Sequence, residues 1–201
     1  MHFIEKGSRK MIESFEYKNH TVEIHVDESP ESPRQQDNLG TMVCFHNCYS
    51  LGDKGHGYKH GDFSGFEELY QQIMKDHRPA AIVFIYMMDH SGISISSDAQ
   101  DFRVWDSEGW DWGQIGFAFV SREKVLKKYG KKELSVKIKQ KALSALLLEI
   151  ETYNQYLQGE VYGFVIKDAN GEHVDSCWGF YEFDHCRGEA KDAVDCIALK
   201  V

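Results

Sequence analysis

Several side chains that can bind metal lie close together in the first half of this 201-residue sequence. Cys44, His46 and Cys48, followed by His56 and His60, supply the sulfur and nitrogen ligands that zinc prefers. Two-residue spacing would spread the first three along a strand, however, and a structural zinc site usually has a second closely spaced pair. Two interpretations therefore stay open: a zinc site, or buried thiols beside a histidine-rich loop. We expect the isolated protein to contain no stoichiometric zinc.

A second group carries the side chains of acid–base chemistry. Asp89, His90 and Ser91 include the residue types of a nucleophile and its base. Neighbouring residues on a strand point in opposite directions, so these three cannot form a triad among themselves. The simpler interpretation is a tight turn with Gly92 at positive φ.

Polar residues also follow or precede the apolar runs that predict core strands. We expect Asp37, Asp89, His90 and Gln114 to converge at one site, because strand ends on a rigid scaffold can hold polar groups. Asp37, His46, Asp89 and His90 could then hold a divalent cation, zinc or another, and the protein would be a metal-dependent hydrolase.

The most unusual stretch, Val104–Gly113, alternates tryptophans with acidic residues. Its candidate binding residues are Trp105, Asp106, Glu108, Trp110, Asp111 and Trp112. An exposed loop with three indole rings is costly unless the domain or a partner covers them. This stretch has three possible interpretations. It could be a docking surface for a basic partner, a solvated loop held by tryptophan packing, or a set of carboxylates around a hard cation.

The composition predicts one globular domain over residues 1–201. Hydrophobic residues make up 42% of the chain and charged residues 27%, and no apolar stretch reaches the roughly 20 residues that span a bilayer. The N-terminus lacks the layout of a secretion signal, so we expect a cytoplasmic protein with no membrane contact. The 5 cysteines are an odd number and should be reduced.

The net charge of −9 is unevenly distributed. Residues 122–141 hold nine Lys/Arg against two Glu, a charge of +7, so the rest of the chain carries −16. Nucleic acid should not bind through the general surface, although the lysine-rich segment could bind it locally.

The periodicity of apolar residues predicts an α+β domain with a largely antiparallel sheet of about five or six strands. Three to four helices should pack mainly on one face of that sheet. Asn170-Gly171 predicts a type I′ turn that places Gly163 opposite Trp178. The glycine- and histidine-rich residues 51–61 predict a mobile loop that could act as a lid. Helices are predicted at 66–75, 121–129, 133–157 and 189–199.

Distinctive motifs occur in several longer segments, at 33–46, 89–92, 105–107 with 113–117, 151–164, and 175–181. These segments resemble a family of small proteins from bacteriophages and mobile elements, and the resemblance covers most of residues 31–181. The chain differs from the family pattern by an insertion at 108–112. The resemblance implies a biological context and no mechanism.

With no complete catalytic constellation, the leading hypothesis is a non-enzymatic accessory protein without a cofactor. It would bind and inhibit a host protein or complex in the host cytoplasm, such as a nuclease-type defence complex, because an acidic surface can occupy a groove that binds phosphate. The alternative is the metal-dependent hydrolase described above.

Overall fold

The computed structural model describes residues 10–199, which form an α+β protein with two four-stranded antiparallel sheets and five helices. The prediction of one sheet with five or six strands is therefore wrong. The described residues separate into two compact units, one of residues 32–154 and one that combines residues 10–31 with residues 155–199. Whether the two fold as a single domain stays a prediction.

The unit of residues 32–154 contains a sheet with the order β3-β6-β4-β5. Its strands are β3 (Thr41–Cys44), β4 (Ala81–Asp89), β5 (Ile93–Ser96) and β6 (Trp112–Val120). The helices are α1 (Phe66–His77), α2 (Gln100–Arg103), α3 (Arg122–Tyr129) and α4 (Val136–Gln158), of which the last continues beyond this unit.

Both faces of this sheet are covered, which explains the uninterrupted apolar run at the end of β6, buried from Ile115 to Val120. On one face, Phe117 and Phe119 pack with Leu69 and Ile73 of α1. Alternation places Ala118, which is also fully buried, on the other face. The expectation of helices mainly on one face stays a prediction. The buried residues of α4 are Ala142, Leu146, Ile150 and Tyr153.

Arg34 attaches α4 to the start of the sheet. Its side chain is 4% exposed and donates to both carboxylate oxygens of Asp53, at 2.8 and 2.9 Å, and to Glu149 Oε2 at 3.1 Å. Glu149 also accepts hydrogen bonds from the backbone amides of Leu39 and Gly40. Four chain segments therefore meet at one guanidinium group.

The other unit contains a sheet with the order β1-β2-β7-β8 and one helix, α5 (Phe183–Ala198), packed on it. Its strands are β1 (Met11–Tyr17), β2 (His20–Val26), β7 (Val161–Lys167) and β8 (His173–Tyr181). Val22, Ile24, Phe164 and Ile166 form its core with the buried residues of α5. Among the described residues, no helix combines the length and apolar character that a membrane span requires.

The β7–β8 hairpin confirms one prediction and corrects another. Gly163 pairs with Trp178, and a methyl group at this glycine would overlap the indole ring. The turn is not type I′, because Gly171 has a positive φ and Asn170 does not. Asp168 builds a longer turn by accepting hydrogen bonds from the amides of Asn170 and Glu172.

The helix ends test the capping predictions. Ser121 accepts a hydrogen bond from the amide of Lys124 and Gly130 is left-handed, as predicted for α3. Gly65, and not Ser64, precedes α1, and α5 begins six residues earlier than predicted. The four-residue α2 has no signal long enough for sequence periodicity.

Gly116 allows a prediction with a matched control on the same strand. A Cβ at Gly116 would overlap the carbonyl oxygen of Val43, whereas nothing lies within 4 Å of a Cβ at Gly113. Gly116→Ala should lower the free energy of unfolding by about 3 kcal/mol or more, because two paired strands must separate. Gly113→Ala should leave it within about 1 kcal/mol of the original. Urea denaturation measures both, and equal effects would contradict the β3–β6 register.

Candidate functional site

The loop between α2 and β6 is organised by the carboxylate of Asp106. One oxygen accepts hydrogen bonds from the amides of Glu108 and Gly109, at 3.2 and 3.0 Å. The other accepts from the amide of Asp111 at 2.9 Å, and the carbonyl oxygen of Asp106 accepts from Trp112 Nε1 at 2.7 Å. The loop is therefore held by its own side chain and backbone.

These contacts change the acidity of Asp106. Hydrogen bonds from backbone amides, the one from Asp111 foremost, hold the pKa of Asp106 below its ordinary value of 3.8, against a smaller effect of burial. A lowered pKa in the folded state means that this stabilisation is present above the ordinary value and is lost as pH falls through the lowered one. The loop is therefore held across the neutral range.

The three tryptophans of the loop occupy different environments. Trp105 is 83% exposed and Trp110 is 85% exposed, and neither ring packs on another aromatic ring of residues 10–199. Trp112 is half-buried, packs near Tyr86 and Phe102, and is hydrogen-bonded. Of the alternatives that the sequence left open, tryptophan packing is present at Trp112, whereas a docking surface stays a prediction. Trp112 holds the loop, and the other two form an exposed aromatic pair.

Asp89 and His90 lie directly beside this loop. The amide of Asp89 donates to the carbonyl oxygen of Asp111 at 2.8 Å, which extends the β4–β6 pairing by one residue. His90 Nδ1 lies 2.8 Å from Asp111 Oδ2. The predicted turn is confirmed, since Gly92 has a φ of 146°, and Ser91 is also positive at 60°.

Tyr49 connects His46 to the same end of the sheet. Its hydroxyl donates to Asp89 Oδ2 at 2.8 Å, and its ring stacks on His46 with 5.1 Å between centroids. The hydrogen bond to Asp89 raises the pKa of Tyr49 above its ordinary value. Nothing in the local sequence pattern marked Tyr49, because its role depends on a residue 40 positions away.

Gln114 and Asp37 do not join this group. Gln114 is on β6 near the loop, but its side chain lines a separate cavity of about 120 Å³ with aromatic residues that include Phe84 and Phe117. Asp37 precedes β3, whose first residue pairs with Phe119, so it lies at the opposite end of the sheet. The expected convergence of these residues is therefore only partial.

The predicted hydrolase ligands are consequently divided between two ends of the sheet, with Asp37 at one end and His46, Asp89 and His90 at the other. Within residues 10–199, no group of three or more His, Cys, Asp or Glu side chains has a geometry that could hold a metal ion. The hydrolase hypothesis has no assembled ligand set in this part of the chain.

The cysteine- and histidine-rich segment lines an open cavity of about 750 Å³ formed by residues 44–60. His56 and His60 contact the ring of Phe45, with centroids 6.0 and 5.4 Å away. Cys44 is buried, which raises the pKa of its thiol to about 12. Aromatic packing therefore accounts for two of the histidines, and Cys44 lacks the character of a ready thiolate ligand.

The loop predicted to be mobile is fixed at its start. Leu51 is buried, Gly52 bridges to Val43, and the amide of Asp53 donates to the carbonyl oxygen of Met42 at 2.9 Å. The salt bridge from Asp53 to Arg34, described above, anchors it further. A lid at residues 51–61 would have to hinge after this anchor.

Comparisons with protein-family models, with curated proteins and with solved structures give no match to this chain.

The role of Asp106 can be tested by hydrogen exchange. Asp106→Ala should remove the protection of the amides of Glu108, Gly109 and Asp111, because each loses its acceptor. Asp106→Asn should affect chiefly the amide of Asp111, since the asparagine retains one acceptor oxygen and replaces the other with a donor. Unchanged exchange in both variants would show that the loop is held by other contacts.

Proposed function

We propose that this protein acts by binding another protein through the exposed face of the loop at residues 104–111. The partner would offer apolar pockets for two indole rings, bordered by lysine or arginine side chains. The observation that carries the proposal is the exposure of Trp105 and Trp110 on a loop that is already held in one conformation.

Exposed tryptophans on an ordered loop have the properties of interface anchors. Each ring offers a large apolar area, and its exposure to water is unfavourable until a partner covers it. Val104, next to Trp105, is 75% exposed and extends the apolar patch. Interface energy commonly concentrates in a few such aromatic side chains.

The charges around the patch favour a basic partner. Arg103 is the one basic residue in the stretch from 98 to 111, and it lies over the ring of Trp112. Glu108 is exposed, and its carboxylate forms no hydrogen bond or ion pair with other described residues. It is therefore free to act on a partner. The acidic residues of this stretch are Asp98, Asp101, Asp106, Glu108 and Asp111.

The resemblance to phage and mobile-element proteins supports a more specific form of the proposal. The partner would be a host protein or complex that binds nucleic acid, as a nuclease-type defence complex does. An acidic patch with aromatic anchors could occupy a groove that otherwise holds phosphate, and would thereby inhibit the complex. This protein would then need no catalytic residue of its own.

The aromatic pair can be tested by double substitution. Trp105→Ala with Trp110→Ala should weaken partner binding by about 2 to 4 kcal/mol, with little loss of thermal stability, because neither ring packs in the fold. The partner would first be captured from host extract with the original protein, then purified and titrated by calorimetry. If the partner is a nuclease, its activity should fall as the original protein is added.

Leu148→Ala is a control, since Leu148 is also exposed, at 61%, but belongs to α4 and not to the loop. Trp112→Ala should instead lower the melting temperature. Equal binding by the original protein and the double variant would refute the docking surface. Binding without any loss of partner activity would refute inhibition and leave docking intact.

A separate prediction concerns Glu108. Glu108→Gln removes a charge without disturbing the hydrogen bonds that hold the loop, in contrast to changes at Asp106 or Asp111. Association should slow by a few-fold at low salt and become less sensitive to salt, while dissociation changes little. Stopped-flow mixing with the purified partner measures both rates. A change confined to dissociation would contradict a steering role.

A further inference from the structure

Residues 122–141, which form α3 and the start of α4, present a strongly basic face. Their charge is +7, against −16 for the remainder of the chain. All nine lysine and arginine side chains in this range are exposed. Within residues 10–199, none of them forms an ion pair, although Lys18, Lys167, Arg34 and Arg187 all do so elsewhere in the chain.

An unpaired cluster of this size has a physical consequence. Like charges on neighbouring turns repel one another, and bringing an anion to the cluster relieves that repulsion. The chain has 32 acidic residues available for pairing and places only two in this range. The cations are therefore available to a ligand from outside the chain.

The face is contiguous and rests on an anchored helix. Lys124, Lys127 and Lys128 share one side of α3 and line an open cavity of about 340 Å³ with residues 37–39. Lys124 Nζ donates to the carbonyl oxygen of Asn38 at 2.8 Å. Val125 is fully buried beneath them, so α3 is a fixed platform.

The start of α4 contributes Lys141 to this face. Lys141 Nζ lies 5.8 Å from the centroid of the Tyr129 ring, which joins α4 to the end of α3. An α-helix rises 1.5 Å per residue, so α3 alone extends the row of cations over about 12 Å. A row of cations can contact several successive phosphates of one nucleic acid strand, whereas a single small anion would contact only part of the row.

We propose that this basic face binds the phosphate backbone of a nucleic acid, without sequence preference and through about four phosphates. The face offers exposed ammonium groups and has no exposed aromatic side chain to stack on bases. The acidic remainder of the protein repels the polyanion, which confines contact to this strip.

An anionic membrane fits these observations less well. A helix that binds at a membrane surface buries an apolar side in the lipid, and Val136 is the one large apolar side chain exposed within residues 122–141. The exposed leucines of α4, Leu143, Leu147 and Leu148, come after the last lysine of the face. The cationic part of the surface therefore lacks an inserting group.

Fluorescence anisotropy with the full-length protein tests the proposal. The probes are a labelled 20-nucleotide single-stranded DNA, the RNA of the same sequence, and a 20-base-pair duplex. We expect binding at about 50 mM salt that weakens steeply toward about 200 mM, with a slope of log K against log salt near −3 for about four phosphates. No binding of any probe at the lower salt, or a slope near zero, would refute the proposal.

A matched pair of triple variants locates the site. Lys127→Glu, Lys128→Glu and Lys131→Glu together should weaken binding at least tenfold. Lys54→Glu, Lys59→Glu and Lys75→Glu, which are exposed elsewhere in residues 32–154, make the same change in net charge and should weaken it less than threefold. An equal loss of affinity in both variants would mean that only the net charge of the protein matters, and would overturn the assigned face.

Two further measurements complete the test. Circular dichroism checks that each variant is folded, and glutamine at the same three positions replaces glutamate if the charge-reversed protein does not fold. Vesicles with phosphatidylserine are titrated in parallel, and binding to them without binding to nucleic acid would overturn the proposal. The double variant at Trp105 and Trp110 should bind nucleic acid unchanged, which separates this proposal from the docking loop.

Discussion

The salt bridges of Arg34 are the interaction on which the arrangement of residues 32–154 depends most. Burial by itself lowers the pKa of Arg34, but hydrogen bonds and charges from Asp53 and Glu149 outweigh that effect and raise it. Removing the guanidinium would leave two partly buried carboxylates facing each other without compensation, which commonly costs several kcal/mol. Because Glu149 also binds the amides before β3, and Asp53 binds the amide of Met42, the same network places α4, β3 and the start of the histidine-rich loop.

The two proposed surfaces lie at opposite ends of β6. This strand begins at Trp112, directly after the acidic loop, and ends at Val120, directly before the cap of α3. Nine residues of strand cover about 30 Å, which exceeds the Debye length of about 8 Å at physiological salt. The acidic and basic surfaces are therefore electrostatically separate, and each can act on its own partner. A partner that carries nucleic acid would offer a ligand to both.

The acidic loop is unusual because its conformation is set before any partner arrives. The carboxylate of Asp106 accepts hydrogen bonds from three backbone amides, and the indole N–H of Trp112 donates to the backbone of the same loop. An interface that is already ordered does not lose that ordering entropy on binding, so more of the contact energy of Trp105 and Trp110 appears as affinity. The tryptophan that holds the loop and the tryptophans that would contact a partner are therefore different residues.

Local signals in the sequence determined the α+β class, the cap and stop of α3, the turn at Gly92 and the pairing of Gly163 with Trp178, because each depends on neighbouring residues or on a short hairpin. The sequence also determined that three tryptophans share one acidic loop and that residues 122–141 are basic. Only the tertiary structure decided that there are two sheets, that Asp37 lies far from His46 and Asp89, and that Trp105 and Trp110 are exposed while Trp112 is packed. Those outcomes depend on contacts between residues far apart in the chain, as do the roles of Tyr49, whose partner is 40 positions away, and of Arg34, whose partner Glu149 is 115 positions away. No local pattern of side chains carries that information.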